Sequence, residues 1–323
     1  MAITGSTRDM RAGIEGRNVS TPRPPPSRFM ARVRIIWNPA ASRTHTPALD
    51  AARRAFERSG WTAEAVESEY GDHARVLARE AVEEGVDVVA AYGGDGTIVH
   101  ALDGVFDTEV PIGIIPGGTG NQLARNLRVP RSPAKAARLI THGRARPIDV
   151  GELRAGGEKW SFAVGCGAGF DAEIITTATR EMKRRMKMGA YVVRGFAVAH
   201  RLVPTPARIE VDGAVTEMDV GTVLVVNCAL LFPPYRPVRP GVRFDDGVLD
   251  VVAVEARGFF GTLGAMGKLV FQMSDPNRIL HLRGSEIRVE SDAPLPMQRD
   301  GEGCGTTPFE TTVRPSAVRV FAG

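Results

Sequence analysis

Gly93-Gly94-Asp95-Gly96-Thr97 is the stretch of this sequence best suited to gripping an anion. It lies between a short apolar run, residues 86–91, and a segment that can continue as a helix. Consecutive glycines let neighbouring backbone N–H groups turn toward one point, and a helix N-terminus adds partial positive charge there. Together these suit phosphate oxygens. A carboxylate in such a loop, Asp95, can hold a magnesium ion or orient a nucleophile. The plainer alternative is a tight turn whose glycines supply positive φ and bind nothing. Pro116-Gly117-Gly118-Thr119-Gly120-Asn121 repeats the arrangement after the next apolar run, residues 111–115. Two such loops at one sheet edge are more specific than either alone. No Gly-x-x-x-x-Gly-Lys-Ser/Thr or Gly-x-Gly-x-x-Gly segment occurs, which excludes a P-loop and a dinucleotide fingerprint.

Asp300-Gly301-Glu302 forms a third cluster. Transfer of a phosphoryl group to an alcohol requires removal of a weakly acidic proton as the hydroxyl attacks, and a positioned carboxylate can take it. Read alone, Asp-Gly-Glu is an ordinary turn.

The elements that must carry these loops alternate between strand and helix. Residues 33–37 read as a buried strand ended by Asn38-Pro39. Thr46 and Pro47 read as an N-cap and first helical residue, with Leu49 and Phe56 inward and Gly60 as the stop. Asp72 is placed to cap the next helix, with Val76, Leu77 and Ala81 inward and Gly85 ending it. Ser132-Pro133 opens another helix that ends at Gly143. Strands separated by helices imply parallel pairing, and ligands gather at the carboxyl ends of such strands, here residues 38–44, 92–97 and 116–121. Beyond Pro147 strand-like segments dominate: residues 160–164, 207–211, 220–227, 247–254, 286–290 and 317–321. Asp212-Gly213 and Asp246-Gly247 are turn signals. The expected organisation is an α/β domain over residues 31–146 and a mostly antiparallel sandwich over 147–323, whose last strands can return to the first domain. Helical stretches are expected near residues 172–187 and 259–272.

Of the 323 residues, 43% are hydrophobic and 24% charged, the balance of a globular chain with length for two domains. The net charge of +4 is uneven: residues 1–30 hold five arginines against Asp9 and Glu15, leaving about one positive charge for the rest. A basic face for nucleic acid is therefore not expected. The same stretch, with Pro22, Pro24, Pro25 and Pro26, reads as a disordered tail, and Met30 reads as an alternative start. Cys166, Cys228 and Cys304 are far apart and odd in number, which fits a reducing, cytoplasmic compartment. No run approaches the roughly 18 apolar residues of a membrane span. A lipid substrate would have to be met at a membrane surface.

With these motifs in order, the chain from about residue 32 onward resembles the diacylglycerol kinase catalytic family, which includes bacterial soluble lipid kinases, sphingosine kinases and ceramide kinases. The carriers are Asn38-Pro39, residues 93–97, 117–121 and 167–171, Asp245-Asp246-Gly247 and residues 300–302. The resemblance implies a Rossmann-like nucleotide-binding domain followed by a β-sandwich lipid-binding domain, with the active site between them. It implies ATP contacts from the Asn38, Pro39 and Ser42 loop, Ser68, Gly93, Gly94, Asp95, Gly96, Thr97, His100, Gly118, Thr119 and Asn121. It implies Glu302 as general base with Asp300 beside it, and Asp95 and Asp149 in a catalytic Mg2+ network. It further implies a structural Mg2+ near Arg243, Asp246 and Val248, the first and last offering only backbone carbonyls. Four departures stand out. His100 with Val99 replaces the family's Asn-Glu, Gln122 replaces an Asp, Ser42 replaces a Gly, and residues 232–240 are proline-rich where glycines are usual.

Residues 180–187 form the most basic run after the tail, beside an apolar stripe of Ile174, Ala178, Met182 and Met186. Peripheral docking on anionic lipid and ordinary packing on the sandwich are both open. Gly165-Cys-Gly-Ala-Gly169 reads as a strand end where backbones approach closely, Cys166 as a small buried residue, and Trp37 and Trp160 as core. An exposed sheet edge could support a homodimer. The leading expectation is ATP-dependent phosphorylation of diacylglycerol. The alternatives are a sphingoid or other alcohol acceptor, and a nucleotide-binding regulatory protein with little catalysis.

Overall fold

Val33, Ile35 and Ile36 bury themselves and fix β1 (Arg32–Trp37) as the first strand of a parallel sheet. The computed structural model describes residues 30–69, 71–170, 172–173, 204–231, 241–255, 261, 264, 268, 275 and 278–323. The tail, the basic run at 180–187, the proline-rich 232–240 and most of the helices expected near 172–187 and 259–272 lie outside the described residues. β1 pairs in parallel with β2 (Thr62–Glu67) and β3 (Val88–Gly93), and β3 with β4 (Ile112–Pro116). β3 and β4 are buried along their whole length, as parallel strands covered on both faces must be. The connections are α1 (Thr46–Arg58), α2 (His73–Glu83) and α3 (Asp95–Val105); α4 (Gln122–Asn126) and α5 (Pro133–His142) follow β4.

Several local expectations are corrected. The N-cap of α1 is His45 rather than Thr46: its backbone is extended and its Nδ1 accepts the Ala48 N–H at 3.3 Å. Asp72 occupies the N-cap of α2 but makes no capping bond, and its carboxylate pairs instead with Arg75 at 2.9 Å. Val76 faces solvent at 40% exposure, because the buried stripe of α2 runs through Ala74, Leu77, Ala78 and Ala81. Trp37 and Trp160 are half-buried at the margins of the cores.

The remaining strands are β5 (Ala145–Ala155), β6 (Glu158–Phe162), β7 (Gly165–Gly169), β8 (Thr205–Val211), β9 (Ala214–Val220), β10 (Thr222–Val226), β11 (Leu249–Val254), β12 (Ile279–Gly284), β13 (Glu286–Ser291), β14 (Pro296–Arg299), β15 (Glu302–Thr306) and β16 (Phe309–Phe321). Among the described residues one sheet runs β2-β1-β3-β4-β16-β13-β8-β9, with β5 on β16 and β6 on β5; the other runs β12-β11-β10-β7-β14-β15 and is antiparallel. Residues 165–169 are therefore a central strand of the second sheet and not merely a strand end. The backbones there do approach closely, since a Cβ on Gly165 would stand 2.9 Å from the Val225 carbonyl oxygen.

The antiparallel half of the first sheet packs on the second sheet through Leu153, Phe162, Ile209, Val289 and Phe309 on one side and Cys166, Val223, Val225, Val251 and Met297 on the other. This is a β-sandwich core. Alternate residues of β10 and β11, Leu224, Val226, Val252 and Val254, join the core of the parallel part. Both faces of these strands are thus buried, which explains their unbroken apolar sequences. The last strand ties the halves together: β16 pairs in parallel with β4 at Val320–Ile112 and antiparallel with β5 and β13.

Candidate active site

Three loops meet at the carboxyl ends of β1, β3 and β4. Asn38 donates its backbone N–H to the Tyr92 carbonyl at 3.0 Å and its Nδ2 to Thr97 Oγ1 at 3.1 Å. Arg43 N–H reaches the Gly117 carbonyl at 2.9 Å, and Gly117 N–H reaches the Gly93 carbonyl at 2.7 Å. Ser42 Oγ and Thr119 Oγ1 share a hydrogen bond of 3.1 Å, so the serine that stands in place of glycine closes the first loop onto the third. A Cβ on Gly118 would come within 2.7 Å of Gly94 Cα, so the two glycine loops touch backbone to backbone. Ser68, at the end of β2, is buried, and its N–H bonds the Trp37 carbonyl at 2.8 Å.

Asp95 fastens these loops. As the first residue of α3 it accepts the Asn121 N–H at 2.7 Å and the Gln122 N–H at 2.6 Å, one on each carboxylate oxygen. Burial raises its pKa and these N–H groups oppose the rise. Asn121 holds a left-handed backbone at φ 51°, and its side chain brackets Gly118 by accepting the Gly118 N–H and donating to the Gly118 carbonyl.

The sandwich contributes a hairpin. Asp300 and Gly301, at φ 45° and 87°, form the two-residue turn between β14 and β15. Asp300 ties this tip to the strand end at residues 163–165. Its carboxylate is buried and accepts the N–H groups of Ala163, Val164 and Gly165 at 2.8, 2.9 and 3.0 Å, and its own N–H reaches the Gly165 carbonyl. Burial pushes its pKa up to about 6 against the pull of those three donors. With the tip so pinned, Glu302 projects over the first turn of α3: a Cβ on Gly96 would stand 3.0 Å from Glu302 Oε1. Glu302 Oε2 is 3.6 Å from His100 Nε2. A half-exposed carboxylate therefore faces the N-terminus of the helix that the first glycine loop opens.

Residues 32–153 match the family described as the diacylglycerol kinase catalytic domain, and residues 165–322 match the YegS C-terminal NAD kinase beta sandwich-like domain. A protein of Stenotrophomonas maltophilia named "Probable lipid kinase YegS-like" is 30% identical over 78% of this chain and 84% of its own length. The chain belongs to the diacylglycerol kinase family. It is a lipid kinase, a transferase acting on a lipid alcohol, and its family implies ATP as phosphoryl donor. Diacylglycerol kinase of Bacillus subtilis is 27% identical over 87% of this chain and 93% of its own. An uncharacterised protein of Synechocystis is 31% identical over 74% of this chain, which spans only 55% of that longer protein. The crystal structure of a diacylglycerol kinase from Bacillus anthracis Sterne superposes with a TM-score of 0.72, at 24% identity over 92% of this chain and 98% of the other, and shows the same fold.

In this lipid kinase the expected nucleotide residues Asn38, Ser42, Gly93, Gly94, Gly96, Thr97, Gly118, Thr119 and Asn121 gather around the joined loops, and Pro39 sits in the turn after β1. Asp149 is buried and accepts the Gly247 N–H at 2.7 Å and the Ser316 N–H at 2.8 Å. Arg243 pairs with Asp245 at 3.0 Å, and Val248 is half-buried. Asp246 is bound by Arg283, whose guanidinium also lies 3.4 Å from Asp250. Arg283 thus stands against the one side-chain oxygen donor of the structural magnesium expected near Arg243, Asp246 and Val248, whose other donors would be backbone carbonyls. No cluster of three His, Cys, Asp or Glu suited to a metal occurs among the described residues. Gln122, where the family has Asp, donates Nε2 to the Leu231 carbonyl at 2.6 Å, and Asn126 clasps Leu230 through both its amide atoms. These contacts were not foreseeable, because neither partner lies near the other in sequence. A small hollow of ≈ 30 Å³ lies beside this clasp and the hairpin tip, where Val164, Leu224, Val226 and Leu231 meet the polar Gln122, Gln298 and Asp300. No helix among the described residues is long and apolar enough to cross a membrane.

Proposed function

We propose that this kinase transfers the γ-phosphoryl group of ATP to the hydroxyl of diacylglycerol, giving phosphatidic acid, with Glu302 as general base. The observation that carries the reading is the Glu302 carboxylate lying against Gly96, over the helix N-terminus that opens the first glycine loop. Phosphates seated on backbone N–H groups at the N-terminus of α3 and at Thr119 would present their terminal group to that carboxylate. Gly94 and Gly118 let the two loops meet backbone to backbone, so that both can face one nucleotide. Asn38, Ser42 and Thr119 close the rim of this site, and Ser68 lies at the end of the neighbouring strand. Asp300 acts indirectly by fixing the hairpin. The lipid acceptor follows from the family, and it would be met by peripheral contact with a membrane surface.

A magnesium ion carried in by the nucleotide would neutralise charge on the transferring group. Such an ion keeps several waters and takes one or two protein carboxylates, so Asp95 alone suits it better than a built cage would.

The test is transfer of labelled γ-phosphate from ATP to diacylglycerol in mixed micelles, comparing wild type with Glu302→Gln. The variant is expected to lose at least about 10²-fold in kcat while ATP affinity stays within about twofold. Retained turnover would reject Glu302 as base. The relative named only as a lipid kinase motivates a panel of sphingosine, ceramide and monoacylglycerol beside diacylglycerol, and preference for one of these would reassign the acceptor.

A further inference from the structure

Gly96 and His100 are four residues apart on α3 and so share one face, and Glu302 lies across both. Its Oε1 is at the Gly96 end and its Oε2 is 3.6 Å from His100 Nε2. The imidazole is enclosed, with a side-chain exposure of 12%, whereas that of Glu302 is 47%. Glu302 begins β15, the edge strand of its sheet, so its position depends on what grips its end. One turn beyond His100, Asp103 accepts a bond from Ser161 Oγ. The charges of Arg299 on β14, His100 itself and Arg75 on α2 all act on that buried carboxylate.

Resting on the reading of Glu302 as base, we propose that His100 is the positioning residue of that base. Its neutral ring donates Nε2–H to Oε2, which leaves Oε1 turned toward the acceptor hydroxyl above Gly96. The contact shortens when substrates close the site, as catalytic hydrogen bonds do. As the acceptor oxygen bonds to the γ-phosphorus and the bond from that phosphorus to ADP breaks, the hydroxyl proton passes to Oε1, while Oε2 stays bound to His100.

The experiment measures kcat and KM from pH 5.5 to 8.5 for full-length wild type, His100→Gln and His100→Ala on diacylglycerol with ATP. His100→Ala is expected to lose on the order of tenfold in kcat with KM for ATP within about twofold. His100→Gln keeps an amide donor, and is expected to recover most of that loss. Wild-type kcat in His100→Ala would overturn the proposal. So would equal losses in both variants accompanied by weaker ATP binding, the mark of a merely structural residue. Glu302→Gln separates the two ideas: an active Glu302→Gln sinks the base and its positioning together, whereas an inactive Glu302→Gln beside a fully active His100→Ala sinks the positioning alone. A readout independent of the acceptor is the ring 15N spectrum of His100 in the whole protein above pH 7. The Nε2–H tautomer is expected, and the Nδ1–H tautomer would overturn the proposal.

Discussion

Gly96 lies in the first turn of α3 outside the left-handed backbone region, so alanine there brings no strain and gains about 1 kcal/mol of helix propensity. Its added methyl would sit 3.0 Å from Glu302 Oε1, the far end of a side chain that can yield. Gly96→Ala should therefore leave the melting temperature equal or higher while lowering kcat by roughly tenfold, since a small misplacement of a base is costly. Equal kcat would show that the Glu302 oxygen is not held where phosphoryl transfer needs it. Asp300 behaves differently because its carboxylate is buried among three N–H donors. Its folded pKa of about 6 lies above the ordinary carboxylate value, so the folded state binds the extra proton between about pH 4 and 6. The stability this group supplies is complete below its unfolded pKa and declines as pH rises through about 6, by up to ~3 kcal/mol. Asp300→Asn, which cannot titrate, should therefore be most damaging relative to wild type near pH 4 and least damaging near pH 7 in urea unfolding. A penalty independent of pH would mean that Asp300 does not take up the proton on folding.

The elements explain how separate loops become one surface. Asp95 caps the short α4 from the start of α3, and Gly118 lets the second loop press on the first. Gly118→Ala would set a methyl 2.7 Å from Gly94 Cα, where only backbone could move. A loss of about 1–3 kcal/mol in stability is expected together with weaker ATP binding, measured by thermal shift and calorimetry. Unchanged ATP affinity would remove the second loop from the nucleotide site. Much of this architecture was legible in sequence. Buried runs such as residues 111–115 announce parallel strands, the glycine pairs announce loops at their ends, and Asp300-Gly301 announces a turn. Other parts were not legible. β2 is a half-exposed edge whose Thr62-Ala-Glu-Ala-Val-Glu67 offers little apolar signal. The cap of α1 fell to a histidine, a side chain outside the usual capping set. The task of Asp300 depends on Ala163, Val164 and Gly165, more than a hundred residues away, and an Asp-Gly turn gives no hint of them.

At the scale of the molecule, β16 decides whether the halves stand or fall together. It comes last in the chain; β5 lines one edge along its length, while the other edge carries the antiparallel β13 near its start and the parallel strand β4 near its end. Val318 and Val320 enter the core of the parallel part, while Phe309 enters the sandwich core. The same continuity carries the site, because the glycine loops hang from β3 and β4 and Glu302 from a hairpin of the sandwich. If Glu302 is the base, holding it within ångströms of its target across such a junction requires that the halves not open independently. Val320→Ala, at a fully buried position opposite Ile112, should cost about 2 kcal/mol. If the described body unfolds as one cooperative unit, amide exchange should quicken about thirtyfold in both β4 and β13. Faster exchange confined to β4 would mean that the parallel part opens by itself, and the junction would then act as a hinge rather than a fixed frame for Glu302.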